Sequence, residues 1–441
     1  MGKKLGLSIL GLVIIGVMYY FTSGSEQLIE KMKQQVAQEL TSIEKEGFSV
    51  QNRKIKKSQE HFVVSFDDTA KIAQFFTSKG IQLNVNDAAL FKGTKLGVDV
   101  HYLPDTYSSV SLDIYPLAFP DVVLSMTENE KEKKIFQQLL DKKTFFTHIA
   151  INKLGNGFKG SMKDINEVLN GKQNITLKMK GLTFSGDIKK QQISTIKENV
   201  DALSLLVDND IAFTFTGFKS NYSRTGNTTY DYSTNYSIDK IILKGKVSFQ
   251  LTADTLTMQS ISKVKDGLAS SSIQSSTKHI STEEKGKKYA FDNFTFEMKA
   301  DNLDISAIDK LQHVNVNNQQ EINLLVQQLI SKSVHFEIPT FSIENIYNAD
   351  KKLGGFSLNA NANIDKTLDI SASQSNPMAA LSAIDANLSI TLSKDLFGLV
   401  RQQPQAIMAI MLFQPKDVNG QKVYELTLKD AKLSVNGMPV N

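Results

Sequence analysis

The 441-residue chain contains no cysteine. It therefore cannot form disulfides, use a thiol as a nucleophile or bind a metal through thiolates. Disulfides are common in proteins of the eukaryotic secretory pathway, so an exported chain without them fits a bacterial periplasm better. Hydrophobic residues make up 41% of the chain and charged residues 22%, which is typical of a globular protein rather than a disordered one.

The chain also lacks a strong net charge and a basic stripe. Its formal net charge is only +4. Nowhere do lysines and arginines alternate with aromatic residues in the pattern of a nucleic-acid-binding surface. We therefore expect no nucleic-acid partner.

Sequence signatures of catalysis and of metal binding are missing as well. The histidines are isolated along the chain, and none forms a His-x-Glu or His-x-x-x-His pair. No Gly-x-Ser-x-Gly nucleophile elbow occurs. We predict no catalytic residue, no metal site and no cofactor. The six histidines are His61, His101, His148, His279, His313 and His335.

One dinucleotide-binding pattern does occur, at Gly155-Asn-Gly157-Phe-Lys-Gly160. It follows a strand-like run and precedes residues 162–169, where a helix is one interpretation. The acidic residue about twenty positions further on, which would bind the ribose, is missing. A hairpin turn with left-handed residues explains Gly155–Gly157 better.

A long uncharged run stands at the beginning of the chain. Residues 5–21 (LGLSILGLVIIGVMYYF) contain no charge and no proline, and they are just long enough to span a bilayer as a helix. Lys3 and Lys4 precede the run, so the positive-inside rule places residues 1–4 in the cytoplasm and the bulk of the chain outside it. We predict a transmembrane anchor in the bacterial inner membrane with a periplasmic body. The alternative is a signal peptide cleaved after Gly24, for which Tyr19–Phe21 are unusually bulky.

The pattern after the anchor changes from helical to strand-like. Apolar residues at spacings of three and four predict a juxtamembrane helix over 25–46. Alternation of apolar and polar residues then predicts a series of half-buried antiparallel strands. Amphipathic helices are predicted at 128–140, 193–207 and 318–331. A helix interrupted by Pro404 is predicted at 394–413, with the apolar stretch Ile407–Phe413 in the core. Strands are predicted at 48–57, 61–66, 96–103, 110–115, 145–154, 175–186, 211–218, 238–251, 254–263, 289–300, 334–343, 356–364 and 385–392.

Two polar segments are predicted to be long hairpin tips. Residues 221–236 are rich in tyrosine, and residues 266–288 are rich in serine. We divide the periplasmic part into an N-terminal section, 47–207, and a C-terminal section, 208–441. The predicted fold is mainly β with helices (α+β). We expect a long, curved, largely antiparallel sheet with helices on one side, preceded by one N-terminal transmembrane helix.

Three short motifs resemble a known family. They are the start Lys3-Lys4 with its apolar span and Thr22-Ser23-Gly24, the mid-chain Asn302-Leu303-Asp304 that leads into a short helix, and Asn436-Gly437 near the end. Together they resemble the YdgA-like family of bacterial inner-membrane-anchored proteins, whose domain has no known function. The sequence departs from that pattern by Ser23, inserted before Gly24. A weaker, fold-level likeness connects the Asn-Leu-Asp units with AsmA-like envelope proteins, which are implicated in lipid traffic.

The resemblance implies a periplasmic, β-rich domain on one membrane helix and no assigned activity. Its markers, Asn302, Leu303, Asp304, Asn436 and Gly437, are expected to be structural turns. We predict a non-enzymatic envelope protein that binds lipid or another apolar ligand in a groove of the sheet. The alternative is a periplasmic scaffold that binds another envelope protein through sheet edges or through the tyrosine-rich segment. A periplasmic hydrolase is a third, weaker hypothesis. Partners are thus the inner membrane and either a lipid or an envelope protein.

Overall fold

A computed structural model of the chain describes most residues after the predicted anchor. The predicted tail 1–4 and anchor 5–21 lie outside the described residues. Among the helices that are described, none combines the length and apolar content needed to cross a bilayer. The described residues are 26–78, 83, 85–125, 130–171, 173–189, 192–208, 210–246, 248–311, 314, 318–349, 351–376 and 380–440.

The chain divides into two compact units, Met1–Ser223 and Arg224–Asn441. Strands dominate both units and pair in antiparallel fashion, which confirms the predicted mainly β class with helices. The helices are α1 (Glu26–Lys45), α2 (Thr69–Ser78), α3 (Val85–Ala89), α4 (Asp121–Ser125), α5 (Glu130–Asp141), α6 (Ile305–Leu311), α7 (Gln319–Leu329), α8 (Ile370–Ser375), α9 (Lys394–Val400) and α10 (Pro404–Leu412). The strands are β1 (Phe48–Ile55), β2 (Gln59–Phe66), β3 (Lys95–Tyr102), β4 (Ser108–Ala118), β5 (Thr147–Asn152), β6 (Gly157–Met162), β7 (Ile165–Asn170), β8 (Asn174–Lys180), β9 (Thr183–Lys189), β10 (Gln192–Val207), β11 (Ile211–Arg224), β12 (Tyr232–Gly245), β13 (Phe249–Lys265), β14 (Leu268–Glu284), β15 (Lys287–Asp304), β16 (Val334–Asn348), β17 (Lys351–Ile364), β18 (Ile384–Leu392), β19 (Lys416–Val418), β20 (Gln421–Lys429), β21 (Lys432–Val435) and β22 (Met438–Pro439).

The first unit is a sheet in the order β1-β2-β3-β4-β5-β6-β9-β10-β11. The hairpin of β7 and β8 continues along the second half of β10. Between β8 and β9 the chain turns at Gly181, whose φ of 67° lies in the left-handed region that favours glycine.

The core of the first unit lies on one face of this sheet. Alternate residues of β2 and its neighbours point to that face, so Phe62, Val64 and Phe66 are buried together. Helices α1 and α2 cover them with fully buried side chains such as Met32 and Phe76. This burial explains why α1 forms where the sequence predicted a juxtamembrane helix.

One charged group is enclosed in that core. Glu60 is only 2% exposed, but its carboxylate accepts a hydrogen bond from the Tyr102 hydroxyl at 2.9 Å and pairs with the Arg53 guanidinium. Burial of a charge is costly unless such partners are present. Burial, followed by the charge of Glu60, raises the pKa of Tyr102 well above its usual value.

The second unit is a sheet of long strands in the order β12-β13-β14-β15-β16-β17-β18-β20. Strands β19 and β21 pair with β20. Its buried apolar cluster is small and consists of Ile330, Val334, Leu368 and Ala383. Most apolar side chains of its long strands are therefore only half-buried.

The predicted amphipathic helix over 193–207 is wrong. This segment is strand β10, which pairs with β8 and β9 along one edge and with β11 along the other. Its apolar residues recur at helical spacings, but pairing on both edges outweighs that local pattern. The helical interpretation of 162–169 is also wrong, because most of this segment lies in β6 and β7.

The predicted serine-rich tip over 266–288 is wrong for the same reason. Strand β14 runs through it and is paired on both sides. Hydroxyl groups meet across the strands, as between Thr257 and Ser276 at 2.7 Å. The tyrosine-rich tip over 221–236 is shorter than predicted, since β11 ends at Arg224 and β12 begins at Tyr232.

Two further predictions concern a turn and a helix. The hairpin turn at Gly155–Gly157 is confirmed: Gly155 has a φ of 64° and lies between β5 and β6.

The break at Pro404 is also confirmed, since α10 begins there. The prediction that Ile407–Phe413 lies in the core is wrong, because Met411 is 74% exposed and Leu412 is 65% exposed.

Candidate functional site

The residues Asn302, Leu303 and Asp304 form the junction between β15 and α6. Asp304 caps the helix by accepting hydrogen bonds from the backbone N–H groups of Ser306 at 2.9 Å and Ala307 at 3.0 Å. Asn302 adopts a φ of 65° and donates to the carbonyl oxygen of Ser333 at 3.1 Å. Leu303 packs against the small apolar cluster of the second unit. All three side chains are engaged in local structure.

The markers Asn436 and Gly437 form the two-residue turn between β21 and β22. Their φ values of 54° and 84° are those that a tight hairpin turn requires. Asn436 also exchanges hydrogen bonds with the backbone of Glu425 on β20, at 2.7 and 2.8 Å. The turn therefore attaches the end of the chain to the sheet.

Three histidines that are distant in sequence meet on the first unit's sheet. The His61 ring lies 2.7 Å from the Asp99 carboxylate, and the His148 ring lies 2.7 Å from that of Asp113. His101 is 3.2 Å from the second oxygen of Asp113. Asp99 and Asp113 face each other directly across β3 and β4. Up to 38 residues separate the partners of a pair, so no local motif signals this cluster.

The histidine cluster fails the geometric test for a metal site. Within the described residues, no group of three or more histidine and acidic side chains is arranged to hold a metal ion. Each carboxylate is already hydrogen-bonded to imidazole across the strands, which stabilises the sheet itself. A similar pair occurs in the second unit, where the His279 ring lies 2.7 Å from Asp292.

The largest chemical contrast in the second unit lies between the two faces of its sheet. On one face, β15 to β18 carry an uninterrupted set of apolar side chains, which we call the apolar strip. All of its members are half-buried. The apolar strip consists of Phe294, Phe296, Met298, Ile338, Phe341, Ile343, Phe356, Leu358, Ala360, Leu388, Ile390 and Leu392.

Strand register places these side chains in rows across the sheet. One row runs Phe294–Ile343–Phe356–Leu392 and the next runs Phe296–Phe341–Leu358–Ile390. Phe341 is the centre of an aromatic group, with its ring 6.0 Å from Phe294 and from Phe296 and 5.2 Å from Phe356. Edge-to-face contacts of this kind hold the rings in fixed positions.

The opposite face of the same strands is polar. Asn359, Asn361 and Asn363 alternate with the apolar residues of β17 and are exposed. Asn387 of β18 donates to Asn361 at 3.2 Å. Such alternation is expected for a sheet with one face in water, and it marks the apolar strip as the face that requires cover.

An exposed apolar helix follows the last strand of the apolar strip in the chain. Helices α9 and α10 connect Leu392, at the end of β18, to Lys416, which pairs with Val423 of the adjacent strand β20. Leu396 and Phe397 of α9 are buried, whereas Ile407, Met411 and Leu412 of α10 are exposed. Exposed apolar residues on a helix are candidate contacts for an apolar molecule.

Comparison with known proteins identifies the family. Residues 117–441 match the family of bacterial proteins of unknown function termed DUF945. This match covers more than half of the chain, so the protein belongs to that family, a bacterial one without an assigned activity. No curated protein and no solved structure matches the chain. The finer resemblance to YdgA-like and AsmA-like proteins stays a prediction.

Proposed function

We propose that this protein is a non-enzymatic component of the bacterial envelope that binds lipid acyl chains along the apolar strip. In this proposal residues 5–21 anchor the chain in the inner membrane, and the β-rich body lies in the periplasm. The observation that carries the proposal is the apolar strip itself. It offers twelve adjacent apolar side chains on one face of the sheet, and none of the twelve is fully buried.

An acyl chain matches this surface chemically. The strip presents rings, branched aliphatic groups and a thioether, and it has no charged member. Each methylene that such a surface removes from water contributes about 0.8 kcal/mol. About ten methylenes would therefore supply about 8 kcal/mol before the entropy of binding is subtracted.

Helix α10 supports the same proposal. Met411 is flexible and polarizable, as residues of adaptable apolar surfaces often are. It is exposed together with Leu412, and both residues lie on the connection that follows the last strand of the apolar strip, so both side chains are available to a lipid.

The test is native mass spectrometry of the full chain, purified in mild detergent from the bacterium's own envelope. We expect lipid masses at a fixed stoichiometry. Leu358→Glu, which places a charge within the strip, should abolish them. Asn359→Glu is the matched control, since it places the same charge at the neighbouring position on the polar face of β17.

A lipid-free mass for the unaltered chain, with no uptake after reconstitution, would overturn this proposal. Equal lipid loss in the Leu358→Glu and Asn359→Glu variants would also contradict it, since the apolar strip would then not be the binding surface. The scaffold alternative would next be examined by crosslinking in the envelope.

A further inference from the structure

The first unit contains a concave surface that is separate from the apolar strip. It lies on β5, β6, β9, β10 and β11 and is an open depression of about 800 Å³. This volume lies within the range of small-molecule binding sites. We call it the lysine trough, after the three lysines Lys159, Lys197 and Lys219 that line it.

Strand register fixes the positions of these lysines. Lys159 of β6 and Lys197 of β10 both lie opposite Ser185 of β9, in one row across the sheet. Two strand spacings separate them, which is about 10 Å. The adjacent row runs Ser161–Thr183–Asn199–Lys219, and His148 lies opposite Ser161.

Small side chains between the lysines form the floor of the trough. Ser161, Thr183 and Ser185 are hydroxyl residues, and Ala150 has no polar side chain. Hydroxyl groups can donate hydrogen bonds to an anion between the lysines. A floor of larger side chains would fill the space instead.

The carboxylates near the trough already accept hydrogen bonds, and the charge of Lys159 is among the smaller causes that lower the pKa of Asp105. Asp105 accepts from the backbone N–H groups of Tyr107 and Ser108, both at 2.7 Å. Asp187 accepts from the Thr195 hydroxyl at 2.8 Å. The carboxylate of Glu198 accepts from Ser220, which is buried.

Some lysines of this chain have a carboxylate partner. Lys142 and Lys422, for example, each form an ion pair, at 2.7 Å with Glu167 and at 2.6 Å with Asp417. Among the described residues, Lys159, Lys197 and Lys219 have no carboxylate within ion-pair distance. All three are exposed, so their charges are available to a ligand.

From this arrangement we propose that the lysine trough binds a ligand carrying two or more phosphate groups. Two lysines whose strands lie about 10 Å apart can reach phosphates at the two ends of one ligand, and the hydroxyl floor hydrogen-bonds the oxygens between them. The same chemistry occurs in the headgroup of a diphosphorylated lipid and in a free polyphosphate. This proposal does not depend on acyl-chain binding at the apolar strip.

The test compares two triple variants of the full chain in uncharged detergent micelles. The trough variant is Lys159→Gln/Lys197→Gln/Lys219→Gln. The control variant, Lys163→Gln/Lys178→Gln/Lys180→Gln, removes the same charge from exposed positions of the same unit that do not line the trough. Isothermal titration calorimetry measures the binding of tripolyphosphate. Native mass spectrometry measures the binding of cardiolipin against phosphatidylcholine.

We expect the trough variant to bind tripolyphosphate at least about tenfold more weakly than the control variant, with an affinity that falls as salt is added. That result identifies a free phosphate compound as a ligand. If only cardiolipin binding depends on the trough lysines, the ligand is a lipid headgroup. Equal binding by the trough and control variants in both assays would overturn the proposal. The Leu358→Glu variant should bind tripolyphosphate normally, which separates this test from that of the apolar strip.

Discussion

Tyr115 lies beside the histidine cluster, where burial, and then the negative charge of Asp99, raise the pKa of its hydroxyl to about 12. The pKa in the folded state therefore lies above the ordinary value of 10.0. A group with a raised folded pKa contributes stability that is complete below its unfolded pKa and is lost as the pH rises through its folded pKa. The contribution of Tyr115 should thus disappear between about pH 10 and pH 12.

We predict that Tyr115→Phe reduces the fall of the free energy of unfolding across this pH window. Urea unfolding followed by circular dichroism at several pH values measures the effect. Tyr107→Phe is the control, since Tyr107 is 80% exposed and its replacement should leave the fall unchanged. An identical pH dependence in the unaltered chain and in Tyr115→Phe would refute the prediction.

Single residues also show where sequence reasoning succeeds and where it stops. The turn at Gly155 was predictable because its conformational requirement is local and favours glycine. The pairing of His61 with Asp99, and the position of Lys159 and Lys197 in one row across the sheet, were not. These arrangements depend on which strands are neighbours and in which register, and the sequence pattern specifies neither.

At the scale of elements, alanine substitutions of two glycines test how closely β17 and α9 approach their neighbours. A Cβ atom on Gly355 would lie 1.8 Å from the carbonyl oxygen of Ile343, so Gly355→Ala requires the backbone of β16 to move. We predict a loss of about 1–3 kcal/mol in the free energy of unfolding. Gly398→Ala in α9 should instead stabilise by about 0.5–1 kcal/mol, because nothing lies within 4 Å of the added methyl group.

Urea unfolding monitored by circular dichroism suits both glycine variants, since the chain has no tryptophan to report by fluorescence. The two substitutions add the same methyl group and differ only in its surroundings. Similar stabilities for the two variants would contradict the close approach of β16 and β17 at Gly355.

Substitutions in helix α10 can test lipid binding without changing the stability of the fold. Met411 and Leu412 are exposed, so replacing both with glutamine should change the free energy of unfolding by less than about 0.5 kcal/mol. We predict that the same change lowers the amount of lipid recovered by native mass spectrometry. A large loss of stability would show instead that the helix is covered in solution.

The surroundings of each helix and strand explain which secondary-structure predictions were right and which were wrong. Local periodicity identified α1 and α7 because each has an apolar side facing a sheet or another helix. It failed for β10 and β14, whose residues satisfy their backbone groups through neighbours on both edges. Serine-rich or helically spaced sequences form strands there because tertiary pairing outweighs intrinsic preference.

At the scale of the whole molecule, the two units distribute their buried apolar surface differently. The first unit has a large cluster that includes Phe66, Phe76 and Met32, all at most 1% exposed, whereas the second has a cluster of four residues. Local opening is easier where fewer apolar contacts are buried. In hydrogen exchange of the full chain we therefore expect β2–β4 to exchange more slowly than β15–β18.

Addition of an acyl ligand should change this difference in one direction. A ligand on the apolar strip covers the side chains of β15–β18 and stabilises their pairing, so their amide exchange should slow, while exchange in β2–β4 stays constant. The Leu358→Glu variant should not respond. Slowing in β2–β4 alone would place the ligand on the first unit. No change in either region would show that the apolar strip does not bind the acyl ligand.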